Sequence, residues 1–177
     1  MKFKPLGING VYLILNDKIR DKRGYFTRIY SEDLFKKNKL NTKWVQFNKS
    51  FNREKYTFRG LHFQKKPYEE IKIVQCIKGE IIDFILDIRK KSKTYLKLIK
   101  IKLSSKKNEL LYIPKGIGHG FITTKKNTEV FYLHSTNFSK KHSAGINIFD
   151  KRIKLKLKDK IKIISKKDKN LHGIDSL

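Results

Sequence analysis

Ten short runs rich in Ile, Tyr, Phe and Thr constrain the fold of this chain more than any other feature. They occupy residues 11–15, 25–30, 44–51, 56–63, 71–77, 81–88, 95–103, 110–113, 120–124 and 129–134. Such residues favour strands, and this spacing, with Gly79 and Gly116 in turns, predicts a sandwich or barrel. A single alanine, Ala144, leaves little material for long helices. The sequence therefore predicts an all-β fold with a few short helices, in one domain over residues 1–177.

The main helix candidate covers residues 31–39. Ser31 can cap its first turn, Glu32 and Asp33 lie at its start, and lysines at positions 36, 37 and 39 lie toward its end. This order of charges matches the helix dipole. Further along, residues 154–158 alternate Lys and Leu, which predicts an edge strand whose lysines face water.

The net charge of +27 does not by itself indicate nucleic-acid binding. Lys accounts for 36 of the 43 basic residues, and 23 Ile stand against four Val, a skew typical of A/T-rich codons. The basic residues are spread along the chain, and no helix-turn-helix, zinc-finger or RNA-binding motif accompanies them. We therefore expect no nucleic-acid partner.

The sequence also argues against a membrane or disulfide protein. No run approaches the 18 or so uncharged apolar residues that a membrane helix needs, and no apolar stretch or cleavage site follows the first five residues. We expect no membrane partner and a cytoplasmic protein. The only cysteine, Cys76, lies in an apolar run, which excludes an internal disulfide and a cysteine-rich zinc site.

Polar residues inside otherwise apolar runs indicate an internal site. They are Lys72, Gln75, Asp83, His119 and Tyr132. Buried polar groups are costly unless they have partners, and a polar cavity inside a barrel would supply partners. In the run Arg-Gly-Leu-His-Phe-Gln at residues 59–64, regular alternation places Arg59 and His62 on opposite faces of a strand.

The motif Pro114-x-Gly116-x-x-His119 resembles the second motif of the cupin superfamily, a small β-barrel of jelly-roll type. Many cupins bind a metal through a His-x-His pair in the first motif, but the sequence here is His62-Phe63-Gln64. Two imidazoles and a neutral amide form a poor site for a divalent transition metal. The resemblance therefore implies a cupin-type barrel, with no metal expected.

A longer series of motifs follows in order at residues 21–26, 45–50, 59–64, 72–74, 79–83, 87–89, 92–95, 103–104, 113–116, 119–121, 131–132, 145–146 and 165–168. Among them are Asp-Lys-Arg-Gly-Tyr-Phe, Arg-Gly-Leu-His-Phe-Gln and Ser-Lys-Lys-Asp. Each motif alone is a weak signal, but the ordered set is specific. Together they resemble the dTDP-4-dehydrorhamnose 3,5-epimerase family.

This resemblance implies an epimerase of a nucleotide-diphosphate-linked 4-keto-6-deoxy sugar, without a cofactor, in surface polysaccharide biosynthesis. A 4-keto group acidifies the hydrogens on C3 and C5, so a base can remove one and an acid can return it from the opposite face. The family's base falls on His62 and its acid on Tyr132. Asp168 is expected to orient His62, and Lys72 to stabilise the enolate oxygen.

The resemblance also implies how the substrate is held. Arg23 and Arg59 match positions that meet the diphosphate, where a planar guanidinium suits bidentate contacts. Phe26 would flank the nucleotide base, and Gln46 and Asn48 would hydrogen-bond to the nucleotide.

Other positions are expected to line the pocket. His119 and Asp83 would form a second polar pair, and Phe138 would lie near the sugar. Near the sugar the chain departs from the family, because Asn137-Phe138 replaces the usual Tyr-Tyr and Glu70-Ile71 replaces the usual Gln-Gly. These departures leave open whether C3, C5 or both are inverted.

A further departure concerns the nucleotide base. Arg28 stands where the family usually has a Glu close to the base, which reverses the charge there. An arginine can only donate hydrogen bonds, and guanine offers acceptors at O6 and N7. The sequence therefore gives a slight preference for GDP over dTDP, with CDP and UDP less favoured.

Two other functions are alternatives to the predicted epimerase. A cupin 3,4-ketoisomerase would use similar chemistry but move the ketone, and a jelly roll without catalysis would only bind a sugar or a nucleic acid. The tyrosine at position 132 and the Arg-Gly-Leu-His motif favour the epimerase. The family's pairing of barrels leads us to expect a homodimer, in which Arg23 can serve the neighbouring subunit's pocket.

Overall fold

The computed structural model describes residues 1–153 and 160–176. Within these ranges it contains strands β1 (Lys2–Pro5), β2 (Tyr12–Leu15), β3 (Ile19–Asp21), β4 (Gly24–Phe26), β5 (Gln46–Asn52), β6 (Thr57–Gln64), β7 (Lys72–Lys78), β8 (Glu80–Asp87), β9 (Leu98–Ser104), β10 (Leu110–Ile113), β11 (Ile117–Thr123), β12 (Thr128–His134), β13 (Ser143–Gly145) and β14 (Ile163–Ile164). The α-helices are α1 (Glu32–Lys37) and α2 (Lys166–Lys169), and 3-10 turns occur at Lys151–Ile153 and Ile174–Ser176.

Two large sheets form the body of the protein. The first has the strand order β1-β2-β10-β7-β12-β5, and the second has the order β13-β6-β11-β8-β9 with β14 beside β6. Neighbours are antiparallel except for β14 and β6, and β3 and β4 form a separate hairpin. The predicted all-β jelly-roll fold is confirmed. Among the described residues, hydrogen bonding does not close the two sheets into one continuous barrel.

Apolar side chains cover both faces of the central strands, such as β7 and β10 in the first sheet and β8 and β11 in the second. Between the sheets, Val74 of the first packs in the same cluster as Ile85 of the second. The outer face of the second sheet packs Phe84 against Ile148 and other residues of the C-terminal part. The outer face of the first sheet is covered by Phe35 of α1. Because both faces of these central strands are buried, their sequences are nearly continuous apolar runs.

Several predicted boundaries differ from the structure. The helix spans Glu32–Lys37 rather than 31–39, and Ser31 occupies the capping position without making a side-chain capping bond. The run 25–30 is a strand only as far as Phe26, and β9 begins at Leu98 rather than at residue 95. The predicted edge strand at 154–158 lies outside the described residues. No helix in the described ranges is long and apolar enough to cross a membrane.

Candidate active site

A cavity of about 580 Å³ lies between the two sheets. The residues singled out in the sequence that line it are Asn48, Arg59, His62, Lys72, His119, Tyr132 and Asp168. Strands β6 and β11 supply one wall, and β5, β7 and β12 of the other sheet supply the opposite wall. The volume is within the range of about 300–1,000 Å³ typical of small-molecule sites.

His62 and Asp168 form a dyad on the wall of the second sheet. Nε2 of His62 lies 2.7 Å from Oδ1 of Asp168, whose side chain is only 6% exposed, whereas that of His62 is 38% exposed. Burial raises the pKa of Asp168, but hydrogen bonds from His62 and Gly60 lower it and prevail, so the carboxyl stays ionised. Because a carboxylate only accepts, Nε2 of His62 carries the proton and Nδ1 is left as the basic atom.

Asp168 is fixed by its own short helix. Ser165 caps α2 by accepting a hydrogen bond from the backbone N–H of Asp168 at 3.0 Å. The second carboxylate oxygen, Oδ2, accepts the backbone N–H of Gly60 at 3.2 Å. The C-terminal segment therefore places the Asp168 carboxylate beside β6, although the two are far apart in sequence. The Ser-x-x-Asp pattern was the sequence signal for this helix, which the prediction did not include.

A β-bulge brings Arg59 and His62 to the same cavity. His119 on β11 pairs with His62 and Phe121 pairs with Arg59, so β6 carries one more residue than β11 between these pairs. Gly60 permits this, because its φ is +128° and a β-carbon there would lie 2.5 Å from the Cα of Gly120. The predicted placement of Arg59 and His62 on opposite faces is wrong for this reason.

Tyr132 and Lys72 lie on the opposite wall from the dyad. The phenol of Tyr132 is 3.0 Å from the hydroxyl of Ser50, a pocket residue that the sequence analysis did not single out. Burial raises the pKa of Tyr132 far above its ordinary value, and the hydrogen bond to Ser50 lowers it only in part. The phenol is therefore a neutral proton donor at rest. Lys72 is buried, and its ammonium lies 2.8 Å from Oε1 of Glu70.

His119 and Asp83 form the predicted second polar pair. Nε2 of His119 is 2.8 Å from Oδ1 of Asp83, and both side chains are buried. Asp83 stands behind His119 rather than on the cavity surface, and its Oδ2 has no hydrogen-bond partner among the described residues. Burial raises the pKa of Asp83 and lowers that of His119. Burial therefore disfavours the charged form of both partners.

Glu70 also contacts His134, another residue that the prediction missed. Its Oε2 is 2.7 Å from Nδ1 of His134, while Oε1 meets Lys72. His134 lies two residues after Tyr132 on β12, so period-two spacing places both on the inner face. That spacing was the signal that could have found it.

Comparisons with known proteins identify the family to which the chain belongs. Residues 5–176 match the profile of the family described as dTDP-4-dehydrorhamnose 3,5-epimerase. The chain belongs to this family. The prediction of an isomerase of the nucleotide-sugar epimerase type is confirmed at this level.

Individual relatives resemble the chain over most of their length. An epimerase of this name from Sinorhizobium fredii is 37% identical over 153 residues, which cover 86% of this chain and 78% of the relative. The crystal structure of the Bacillus anthracis epimerase with TDP and PPi bound has a TM-score of 0.90 and 31% identity, covering 97% and 98% of the two chains. The Sulfolobus tokodaii epimerase has a TM-score of 0.88 and 34% identity, covering 98% and 95%.

A second, smaller cavity of about 190 Å³ adjoins the dyad of this family member. Gln46, Asn48 and Phe138, three of the predicted substrate contacts, line it. Nε2 of Gln46 donates to Oδ1 of Asn48 at 3.3 Å, and Oε1 accepts the backbone N–H of Phe138 at 2.9 Å. These residues therefore hold one another as well as facing the cavity.

Gln64, the last residue of the His62-Phe63-Gln64 sequence, has a structural role here. Its amide donates to the carbonyls of Tyr68 and Asn137 and accepts the backbone N–H of Ser139. Both ends of the side chain are thus engaged in fixing loops. In residues 1–153 and 160–176, no three His, Cys, Asp or Glu side chains are grouped so as to hold a metal ion.

Three predicted nucleotide contacts lie away from both cavities of the single chain. Arg23 and Phe26 belong to the β3–β4 hairpin, and Arg28 follows it. All three are exposed, and Arg23, whose side chain is 90% exposed, pairs with Asp21. Their contacts with substrate therefore stay predictions.

Proposed function

We propose that this protein inverts C3, C5 or both in a dTDP-linked 4-keto-6-deoxy sugar. The observation that carries the proposal is the placement of the His62–Asp168 dyad on one wall of the cavity and Tyr132 on the other. Epimerisation needs a base on one face of the sugar and an acid on the opposite face. A sugar ring lying between the sheets would meet both.

The proposed reaction begins with proton removal. Nδ1 of His62 takes the hydrogen from a carbon next to the 4-keto group, the C–H electron pair forms the enolate, and the charge passes to the C4 oxygen. The carboxylate of Asp168 stabilises the imidazolium that forms. The ammonium of Lys72, which is itself buried, stabilises the enolate oxygen.

Tyr132 completes the inversion. Its phenol gives a proton to the opposite face of the carbanionic carbon, which restores the ketone with the configuration reversed. The strongly raised pKa keeps the phenol protonated until an enolate, a much stronger base than water, is present. Before the next turnover the His62 imidazolium gives its proton to solvent, and the Tyr132 phenolate takes a proton from solvent.

The open side of the cavity suits a diphosphate. Lys49, Arg59 and Lys167 line the cavity and bring positive charge to it. The guanidinium of Arg59 is oriented by Asn52, whose Oδ1 accepts the Nε–H at 2.7 Å. The related Bacillus anthracis epimerase has TDP bound, which supports a dTDP substrate over the GDP-linked sugar that Arg28 slightly favoured.

We also propose that the active form is a homodimer. Strand β5 lies at the edge of the first sheet and exposes Phe47 and Phe51, an arrangement that favours pairing with another chain. A second subunit would also bring the hairpin of Arg23 and Phe26 to a cavity.

Solvent exchange tests the proposed function. The enzyme is incubated in D₂O with a dTDP-linked 4-keto-6-deoxy sugar, and the sugar is followed by NMR. We expect deuterium at C3 or C5 together with inverted configuration. Absence of exchange would contradict catalysis, and a ketone found at C3 would show isomerisation instead.

A further inference from the structure

Glu70 connects two cationic or potentially cationic side chains at the junction of the two cavities. Its carboxylate accepts from Lys72 Nζ at 2.8 Å and from His134 Nδ1 at 2.7 Å. Glu70 is 10% exposed and His134 is 13% exposed. All three side chains line the 190 Å³ cavity, and Lys72 and His134 also line the 580 Å³ cavity.

The backbone explains why a carboxylate is needed there. Lys72 on β7 and His134 on β12 are direct cross-strand partners, so their side chains extend into the same space. Burial raises the pKa of Glu70, but contacts with His134 and Lys72 lower it and prevail, which keeps Glu70 ionised. One buried negative charge thus holds both neighbours in fixed positions.

The bond to Glu70 determines which atom of His134 is free. Nδ1 donates to the carboxylate, and Nε2 makes no hydrogen bond to any residue in the described part of the chain. This side chain lines both cavities, and its ring stacks beside that of Tyr132 with 6.1 Å between centroids. Nε2 is therefore a polar atom available to a bound molecule, next to the groups assigned to the chemistry.

We propose that His134 binds a hydroxyl of the substrate's sugar ring through Nε2, and that Glu70 is the positioning residue for both His134 and Lys72. This inference rests on the proposed function, since it assigns the sugar end of the same site. The arrangement resembles the His62–Asp168 dyad in form, with a carboxylate fixing the tautomer of an imidazole. Its role differs, because it selects and orients the sugar rather than removing a proton.

The test compares sugar recognition with nucleotide recognition. Glu70→Gln, which preserves shape, and His134→Ala are assayed for kcat and KM, and for calorimetric affinity toward dTDP and toward dTDP-glucose. We expect kcat/KM to fall about 10- to 100-fold in each, in line with the loss of a buried hydrogen bond. Affinity for dTDP-glucose should fall while that for dTDP stays within about twofold.

Conservative variants and a matched control separate positioning from folding. Glu70→Asp keeps the charge and should retain more activity than Glu70→Gln. The double variant, with Glu70→Gln and His134→Ala together, should lose less activity than the product of the two single losses, because the residues act together. His142→Asn removes a histidine outside both cavities, bonded to Ser139, and should leave kcat/KM unchanged. Melting temperatures are recorded for every variant, and His134→Asn replaces His134→Ala if the latter does not fold.

The outcomes distinguish a wrong role for His134 from a wrong proposed function. If the wild type turns over the sugar and a folded His134 variant retains kcat/KM and dTDP-glucose affinity, the role of His134 is wrong and the proposed function stands. An equal loss of affinity for dTDP and dTDP-glucose would also refute the sugar assignment. If the wild type binds dTDP but neither exchanges nor inverts the sugar, the proposed function itself fails.

Discussion

Replacing Asp168 by Asn removes the negative charge from the dyad and leaves the shape of the side chain unchanged. The carboxylate accepts a hydrogen bond from His62 at 2.7 Å, and a hydrogen bond to a charged group is worth about 1.5–3 kcal/mol. If that energy is lost from the transition state, the rate falls about 10- to 150-fold. The amide can also donate to Nε2 of His62, which would move the ring proton to Nδ1 and block the basic atom. We therefore expect kcat to fall about 10²- to 10⁴-fold.

The variant is assayed by proton NMR of the sugar in D₂O, beside calorimetric titration of dTDP. We expect dTDP affinity within about twofold of the wild type, because Asp168 is assigned to the base. Asp150→Asn is a matched control, since Asp150 pairs with Arg152 on the same C-terminal segment outside both cavities. It should leave kcat unchanged. A kcat for Asp168→Asn within about threefold of the wild type would refute the assignment of Asp168.

Asp168→Asn should also change how the free energy of unfolding depends on pH. The folded-state pKa of Asp168 is lowered, so its stabilising contribution is complete above the unfolded value of about 3.9 and is lost as the pH falls through the folded value. The difference in unfolding free energy between wild type and Asp168→Asn should be constant near neutral pH and shrink below about pH 4. A difference that grows on acidification would contradict the ionised, hydrogen-bonded carboxylate.

Three more predictions concern the base, the subunits and the nucleotide. His62→Ala and His62→Asn should lower turnover about 100- to 10,000-fold with nearly unchanged dTDP affinity in calorimetry, and near wild-type turnover would exclude His62 as the base. Light scattering at micromolar concentration should give a dimer, and a species near 21 kDa would contradict this. In calorimetric titrations dTDP should bind more tightly than GDP, and Arg28→Glu should widen the difference. Tighter binding of GDP by the wild type would instead support a nucleotide preference determined by Arg28.

Much of the fold could be predicted because its strands are chemically uniform. Runs of Ile, Tyr and Phe between glycine turns locate the strands, since sheets buried on both faces need apolar residues throughout. Polar residues such as Lys72 and His119 stood out against this background and marked the cavity. Their grouping across two sheets followed from the family resemblance, because alternation within one strand says nothing about which strands face each other.

What could not be predicted depends on local irregularity and on pairing between distant segments. The bulge at Gly60 adds one residue to β6 and reverses the face of Arg59, which alternation alone cannot anticipate. Glu70 was seen only as a departure from the family, because its partner His134 lies 64 residues away. The hairpin of Arg23 and Phe26 lies outside the single-chain cavity, so its function depends on a neighbour that one sequence does not place.

Solvent deuterium exchange by Tyr132→Phe tests the central claim, that base and acid act from opposite walls of the cavity, most directly. The substitution removes one hydroxyl and leaves the His62–Asp168 dyad intact. We predict that the variant still introduces deuterium at C3 or C5 of the dTDP-linked 4-keto sugar, while inverted product falls far below the wild-type level. If exchange and inversion were lost in equal measure, separate base and acid roles for His62 and Tyr132 would be contradicted.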